Sequence, residues 1–297
     1  MKVTSIGEIL FDVYPEEKKL GGAPFNFFYH FNKLTGNGNF ISRIGNDING
    51  RNILEFLYTN GISDEYIQID EKHPTGKVEV KLDENKVPEF QIISNSAYEY
   101  IASTESVADL LENNTDMLYH GSLAQKGEIS SDTMNRIFLS GIKRFCDLNL
   151  RQHYYSKELI DSNLNDCSVV KVNEDELEII IDYMDVGSGS IEDKAKVVKD
   201  RYNIELLCIT LGSRGSIIVS DKTTHNYTAE AIDVVDTVGA GDAYSSVLCI
   251  GYLLNWDIGR INEVSSEFAA AVCGISGAIP ADDGFYEKYK DLIGLNK

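Results

Sequence analysis

The chain has 297 residues, a formal net charge of −20, and apolar, aromatic and charged fractions of 43%, 10% and 25%. That length holds one large domain or two small ones with a substantial core, and the composition is that of a soluble globular protein. The acidity argues against nucleic acid as a main partner, no apolar stretch reaches a membrane-spanning length, and five scattered cysteines without a C-x-x-C pair argue against a thiolate zinc site.

The odd cysteine count, and an N-terminus that leads straight into a strand-like Met1–Ile6, set the expectation of a cytoplasmic protein with reduced thiols. No repeat of fixed period appears. Gly7-Glu-Ile-Leu-Phe-Asp12 comes first, and residues 10–20 are read as adding a strand or two to a small sheet. Gly21-Gly-Ala-Pro-Phe-Asn26 reads as a loop-to-helix junction. Pro24 suits a first helical turn, and Phe27, Phe28, Phe31 and Leu34 recur at helical spacing. Alone, that segment reads as ordinary turn chemistry. Lys77–Leu82 alternates polar and apolar, and residues 87–93 follow across a turn-like Asp83-Glu-Asn-Lys86. This predicts a hairpin solvated on one face, part of an antiparallel lid formed by about 10–21 and 74–100 within a single domain, 1–297.

From about residue 100 helical and strand patterns alternate. Helices are predicted over 104–113, 132–139, 156–163, 174–184 and 191–202, and strands over 116–119, 144–150, 168–172 and 205–211. This is the pattern of an α/β fold, a mostly parallel sheet flanked by helices, whose ligands bind beyond the carboxyl ends of the strands. Residues just after each strand are therefore the candidates. In the 144–150 strand, alternation would put Asp147, Asn149 and Arg151 on one face. Asn173-Glu-Asp-Glu176 reads as a capped, acidic helix start. Thr210-Leu-Gly212-Ser-Arg-Gly215 reads as a tight turn between two strands. Asp236-Thr-Val-Gly-Ala-Gly-Asp242 precedes an apolar run, 243–254, that reads as a buried helix. A glycine-rich turn opening a helix is an anion site. Asp242 could merely cap it, but two acids bracketing three small residues exceed what a cap needs. The five histidines show no ligand spacing.

Asp-Thr-x-Gly-Ala-Gly-Asp-Ala-Tyr resembles the C-terminal signature of the ribokinase/pfkB carbohydrate kinases, and the likeness covers essentially the whole chain. The resemblance implies a ribokinase-like fold and phosphoryl transfer from ATP to a sugar hydroxyl. It makes Asp242 the catalytic base and Gly239, Ala240 and Gly241 the anion hole. Gly21-Gly-Ala-Pro-Phe-Asn26 is similar to the family's N-terminal sugar-binding motif and Ser42–Gly50 continues it, making Asp12, Gly22 and Asn26 sugar ligands. Asn173 and Glu176 match the motif that orders Mg²⁺ and its waters around ATP. Asn173, Thr210, Gly212 and Gly215 match ATP-contacting positions. Asp236, Val238 and Gly277 resemble a monovalent-cation loop, implying K⁺, although Ala281 replaces a residue that often contributes a hydroxyl there. Val247 departs from the small residue usual at its position. Asp147, Asn149 and Arg151 resemble a fructokinase motif contacting sugar or phosphate. Together with His73-Pro-Thr-Gly76, Ala97-Tyr98 and Gly121-Ser-Leu123, it makes D-fructose, giving fructose 6-phosphate, the implied substrate. Ribokinase and 2-keto-3-deoxygluconate kinase share much of this framework. The partners implied are a sugar and ATP, with no nucleic acid or membrane and with room for a homodimer. A non-catalytic sugar or nucleotide sensor on the same fold would have lost the base or metal motif. No G-x-x-x-x-G-K-[ST] is present, which excludes the P-loop class.

Overall fold

The computed structural model describes residues 1–82 and 88–294. Strands and helices follow in the order β1 (Val3–Ile6), β2 (Leu10–Val13), β3 (Lys18–Gly21), α1 (Ala23–Thr35), β4 (Gly38–Gly45), α2 (Ile48–Thr59), β5 (Ile67–Asp70), β6 (Gly76–Leu82) and β7 (Pro88–Ile92). Then come α3 (Glu105–Asn113), β8 (Met117–His120), α4 (Glu128–Phe138), β9 (Arg144–Asp147), α5 (Lys157–Leu164), β10 (Val169–Asn173), α6 (Glu174–Met184) and α7 (Ile191–Arg201). The chain closes with β11 (Leu206–Thr210), β12 (Ser216–Ser220), β13 (Thr224–Tyr227), α8 (Ala240–Leu253), α9 (Ile258–Cys273) and α10 (Gly284–Ile293).

Nine strands form one sheet in the order β13-β12-β11-β10-β9-β8-β1-β4-β5. Neighbours from β11 to β5 run parallel, and β12 and β13 are antiparallel additions at one edge. Helices cover both faces. One core joins α1, α2, α8, α9 and α10 to the sheet, and two further clusters lie under α3 to α7. Burial on both faces explains why β8, β10 and β11 are largely apolar runs rather than alternating ones.

A second sheet, β3-β2-β6-β7, is the expected lid. Its outer pairs are antiparallel, but β2 and β6 run parallel, so the lid is mixed rather than antiparallel throughout. The reason is that β2–β3 and β6–β7 are two separate hairpins meeting side by side. The turn expected at 83–86 lies outside the described residues. Over 76–80 the burial alternates as predicted, with Val78 and Val80 inward.

Three expectations need correction. The strand predicted over 144–150 stops at Asp147: the Leu148 N–H makes a last bond to β10, at the Lys171 carbonyl, and Asn149 then turns to φ 45°. Asp147, Asn149 and Arg151 therefore do not share a strand face. The helix predicted from 132 begins four residues earlier, at Glu128. The helix predicted from 243 begins at Ala240, so the three small residues lie at its very start.

Candidate active site

The carboxyl ends of β1, β8, β9, β10 and β11 open along one edge of the sheet, and the N-termini of α1 and α8 meet there. Gly22 precedes α1 at φ 110°, and a Cβ on it would lie 2.5 Å from the Glu8 carbonyl oxygen. Only glycine allows the chain to cross the β1–β2 connection so closely. Pro24 then sits in the first turn of α1, and Phe27 stacks on Tyr119 of β8 with ring centroids 3.5 Å apart. That packing fixes Asn26, which is buried.

Gly239 takes the left-handed conformation at φ 79°, and a Cβ there would fall 2.3 Å from the Ala278 Cβ. The Ala240 N–H makes one long bond, 3.4 Å, to the Thr237 carbonyl. Its neighbours in the first turn of α8 have no intrahelical acceptor, so the turn presents N–H groups and the positive end of a helix dipole. Asp242 stands in this turn, half-buried, and Asn26 Nδ2 donates to its Oδ2 at 2.8 Å. Burial, reinforced by the charge of Asp147, pushes the Asp242 carboxyl up to about 7, while Asn26, Lys171 and Arg151 pull the other way. The two motifs, 216 residues apart in sequence, thus share one hydrogen bond.

Beneath Asp242 lies a buried polar cluster that the sequence did not reveal. Lys171 Nζ bonds both oxygens of Asp147, at 3.0 and 3.1 Å. Tyr119 and Ser245 donate to Asp147 Oδ2 at 3.1 and 2.8 Å. The pairing follows from register, since Lys171 and Asp147 are direct neighbours across β9 and β10. Its side chain is buried and both oxygens bond Lys171, so Asp147 supports the site from below. The sequence signal for it is the lysine inside the apolar run Val169-Val-Lys-Val172.

Glu8, also missed, is buried in the β1–β2 connection, and its Oε2 has no partner. Burial pushes its carboxyl up to about 7, and Asp242 adds to the shift. Asp12 on β2 is half-buried, with its carboxyl pushed up to about 6 by burial against the pull of Arg151 and Lys19. Arg151 is exposed, and its charge reaches Asp242, Glu8 and Asp12. Asn149 is half-buried in the turn after β9, where its carbonyl accepts from Ser122 Oγ at 3.5 Å.

Asn173 and Thr210 are register neighbours at the ends of β10 and β11. Asn173 and Glu176 form a complete capping box: Asn173 Oδ1 accepts from the Glu176 N–H, and Glu176 Oε2 from the Asn173 N–H, each at 2.8 Å. Glu176 Oε1 accepts from the Leu150 N–H at 2.7 Å. The capping alternative is thus realised, and it holds the buried Glu176 rigidly with lone pairs to spare. Among the described residues no group of three His, Cys, Asp or Glu side chains could hold a metal ion. The donor set fits a magnesium ion that keeps its waters and is carried by phosphates, not a protein cage. Gly212 is exposed with space around it, whereas a Cβ on Gly215 would strike the Tyr227 carbonyl oxygen at 1.9 Å. Gly215 is thus explained by packing of the turn before β12 against the end of β13.

At the candidate cation loop, Asp236 Oδ1 accepts from the Val238 N–H at 3.0 Å and Oδ2 from the Gly277 N–H at 2.9 Å. Lys19 from the lid reaches in, 3.8 Å from Asp236 Oδ2 and 3.1 Å from Ser276 Oγ. An ammonium therefore already stands beside the carboxylate that a monovalent cation would use.

Comparison with known proteins places this geometry. The model of the pfkB family of carbohydrate kinases matches residues 2–283. A fructokinase of Salmonella typhimurium is 28% identical over 268 residues, covering 86% of this chain and 85% of that protein. A sugar kinase from Pyrococcus horikoshii, solved in complex with ATP, is 25% identical with a TM-score of 0.78 over 93% of each chain. A fructokinase with bound ATP from Xylella fastidiosa shares the fold at a TM-score of 0.84 and 16% identity, over 99% of this chain and 98% of that one.

Proposed function

The chain belongs to the pfkB family of carbohydrate kinases and is an ATP-dependent carbohydrate kinase, and from that premise we propose that its acceptor is D-fructose, phosphorylated to fructose 6-phosphate with Asp242 as base. The observation that carries the reading is the hydrogen bond from Asn26 to Asp242. It ties the acceptor-side loop to the anion-binding turn, so a hydroxyl held by the first would be delivered to the second.

In this reading the sugar lies between the lid and the strand ends, with Asp12, Gly22 and Asn26 as its ligands. An acid and an amide together accept from and donate to neighbouring hydroxyls. Arg151 and Asn149 close the same pocket. ATP lies past Asn173, Thr210 and Gly212. The magnesium ion, near Asn173 and Glu176, would neutralise phosphate charge as part of MgATP. Asp242 accepts the proton of the attacking hydroxyl as its oxygen bonds the γ-phosphorus and the bond to the ADP oxygen breaks. The first-turn amides at 239–241 receive the charge of the migrating group. Most of the acceleration in such chemistry is positioning and charge stabilisation. An acid near 7 is poised to be ionised at neutral pH and to take a proton late. K⁺ at Asp236, Val238 and Gly277 belongs to the same proposal, and Lys19 is its competitor for the site.

Fructose is favoured by the similarity to fructokinases; ribose and 2-keto-3-deoxygluconate are the alternatives on this framework. A coupled ADP-release assay over fructose, ribose, 2-keto-3-deoxygluconate, mannose and adenosine, with Mg²⁺ and K⁺, tests the choice. Fructose should give the highest kcat/KM. A clear preference for another sugar overturns the substrate, and turnover of none overturns the mechanism.

A further inference from the structure

Lys171 is a lysine in the interior strand of a sheet covered on both faces, and its relative exposure is 8%. Burial works against its charge, yet Asp147, Glu176 and Asp242 more than offset that, and the ammonium is held above its ordinary value. Neutralising Asp147 does not by itself account for it. A buried ion pair is commonly no more stabilising than apolar residues of the same volume, and the surrounding positions Val169, Val170 and Val172 are apolar. Its position is more informative. A Cβ on Gly241 would fall 3.0 Å from Lys171 Nζ, with only Lys171 atoms within 4 Å. The ammonium therefore lies against Gly241, the last of the three small residues of the anion-binding turn. Asp147 pins it there, Tyr119 and Ser245 pin Asp147, and Ser245 belongs to α8 itself. The chain has no P-loop lysine to reach the phosphates from the front.

We propose that Lys171 is a positioning residue of the transfer step, a fixed positive charge held against the turn of residues 239–241 that favours charge on the migrating phosphoryl group. The proposal rests on the assignment of that turn and Asp242 as the transfer site. It assigns Asp147 a role too, as the tether that sets where the ammonium sits. It also bears on Gly241, because a Cβ there would press on the ammonium and shift it by a few tenths of an ångström. A unit charge several ångströms from the reacting group, at the effective dielectric of a partly buried site, is worth roughly tenfold to a hundredfold in rate, and the opposite charge of Asp147 beside it offsets part of that.

The test uses the full chain with its best sugar acceptor. Lys171→Met leaves Asp147 unpaired and risks misfolding, so it is paired with the double variant Lys171→Met/Asp147→Asn, in which the asparagine still accepts from Tyr119 and Ser245. The expected result is a folded double variant whose KM values for sugar and MgATP stay within about threefold while kcat falls roughly threefold to tenfold, the part of the ammonium's effect that Asp147's opposite charge does not cancel. Affinity for ADP with aluminium fluoride and sugar, which mimics the transfer state, should fall in proportion, and affinity for ADP alone should not. A folded variant with kcat within about twofold of the parent overturns the proposal, whatever its melting temperature. Failure of both variants to fold also overturns it, since the pair is then a structural requirement. If the parent turns over no sugar, or Asp242→Asn turns over normally, the underlying assignment falls instead.

Discussion

Asp242→Asn tests the site through stability as well as rate. In the fold the Asp242 carboxyl is pushed from its ordinary 3.8 to about 7. Below about pH 4 it is protonated in folded and unfolded chains alike. Between about 4 and 7 the unfolded chain ionises while the folded one holds its proton, so stability falls as pH rises, and above about 7 the full penalty is present. The shift sets a ceiling of about 4 kcal/mol at 1.36 kcal/mol per pH unit, and solvent at this half-buried group reduces it to about 1–2 kcal/mol. Asparagine removes the charge and still accepts from Asn26. The ligand-free variant should therefore melt about 2–5 °C above the parent at pH 8, with roughly half that gain at pH 5.5. The same variant should lose at least about a hundredfold in kcat. Thermal melts at the two pH values and the ADP-release assay read both. A variant no more stable at pH 8 than its parent, or one with near-normal turnover, would refute a desolvated catalytic acid at this position.

The kcat/KM of the parent should rise from pH 6 to 8 with an inflection near 7, because the base works ionised; a flat profile over that range contradicts the assignment. Asn26→Ala removes a bond that favours the ionised acid, so it should move this inflection upward and raise the sugar KM at least about tenfold, read from a pH series of initial rates. Gly239→Ala puts a Cβ 2.3 Å from the Ala278 Cβ at a positive φ, and should lower stability by more than about 2 kcal/mol in urea titration. Exchanging K⁺ for tetramethylammonium tests the cation loop. A rate that drops only in Lys19→Ala would show the lysine doing the ion's work, and a drop in the parent would show that it does not.

Much of the fold was legible because its signals are local. Helix α6 follows the capping box of Asn173 and Glu176, α7 follows Ser190 as its cap, and Thr104 and Ser156 start α3 and α5 in the same way. What failed depends on partners distant in sequence. Leu148–Leu150 reads as more strand, but β9 ends where its neighbours stop pairing. The parallel contact of β2 with β6 joins segments over sixty residues apart, and no turn signal encodes it. The site divided similarly. Its glycines announce themselves by type, and Gly22 and Gly239 prove to be close backbone approaches. Glu8 and Lys171 carry no motif; their meaning lies in being buried beside Asp242, which only the assembled sheet reveals.

The lid strands β2 and β3 lie in the chain between β1 and α1, so the small sheet and the helix bearing Asn26 are consecutive pieces of one polypeptide, joined at Gly21 and Gly22. Asp12 rides on the sheet and Asn26 on the helix. An acceptor held as proposed spans that joint and acts as a clasp across it, whereas a water molecule is too small to grip both sides. Selection against hydrolysis of ATP would then reside in reach: the joint is fastened only by a molecule long enough to cross it.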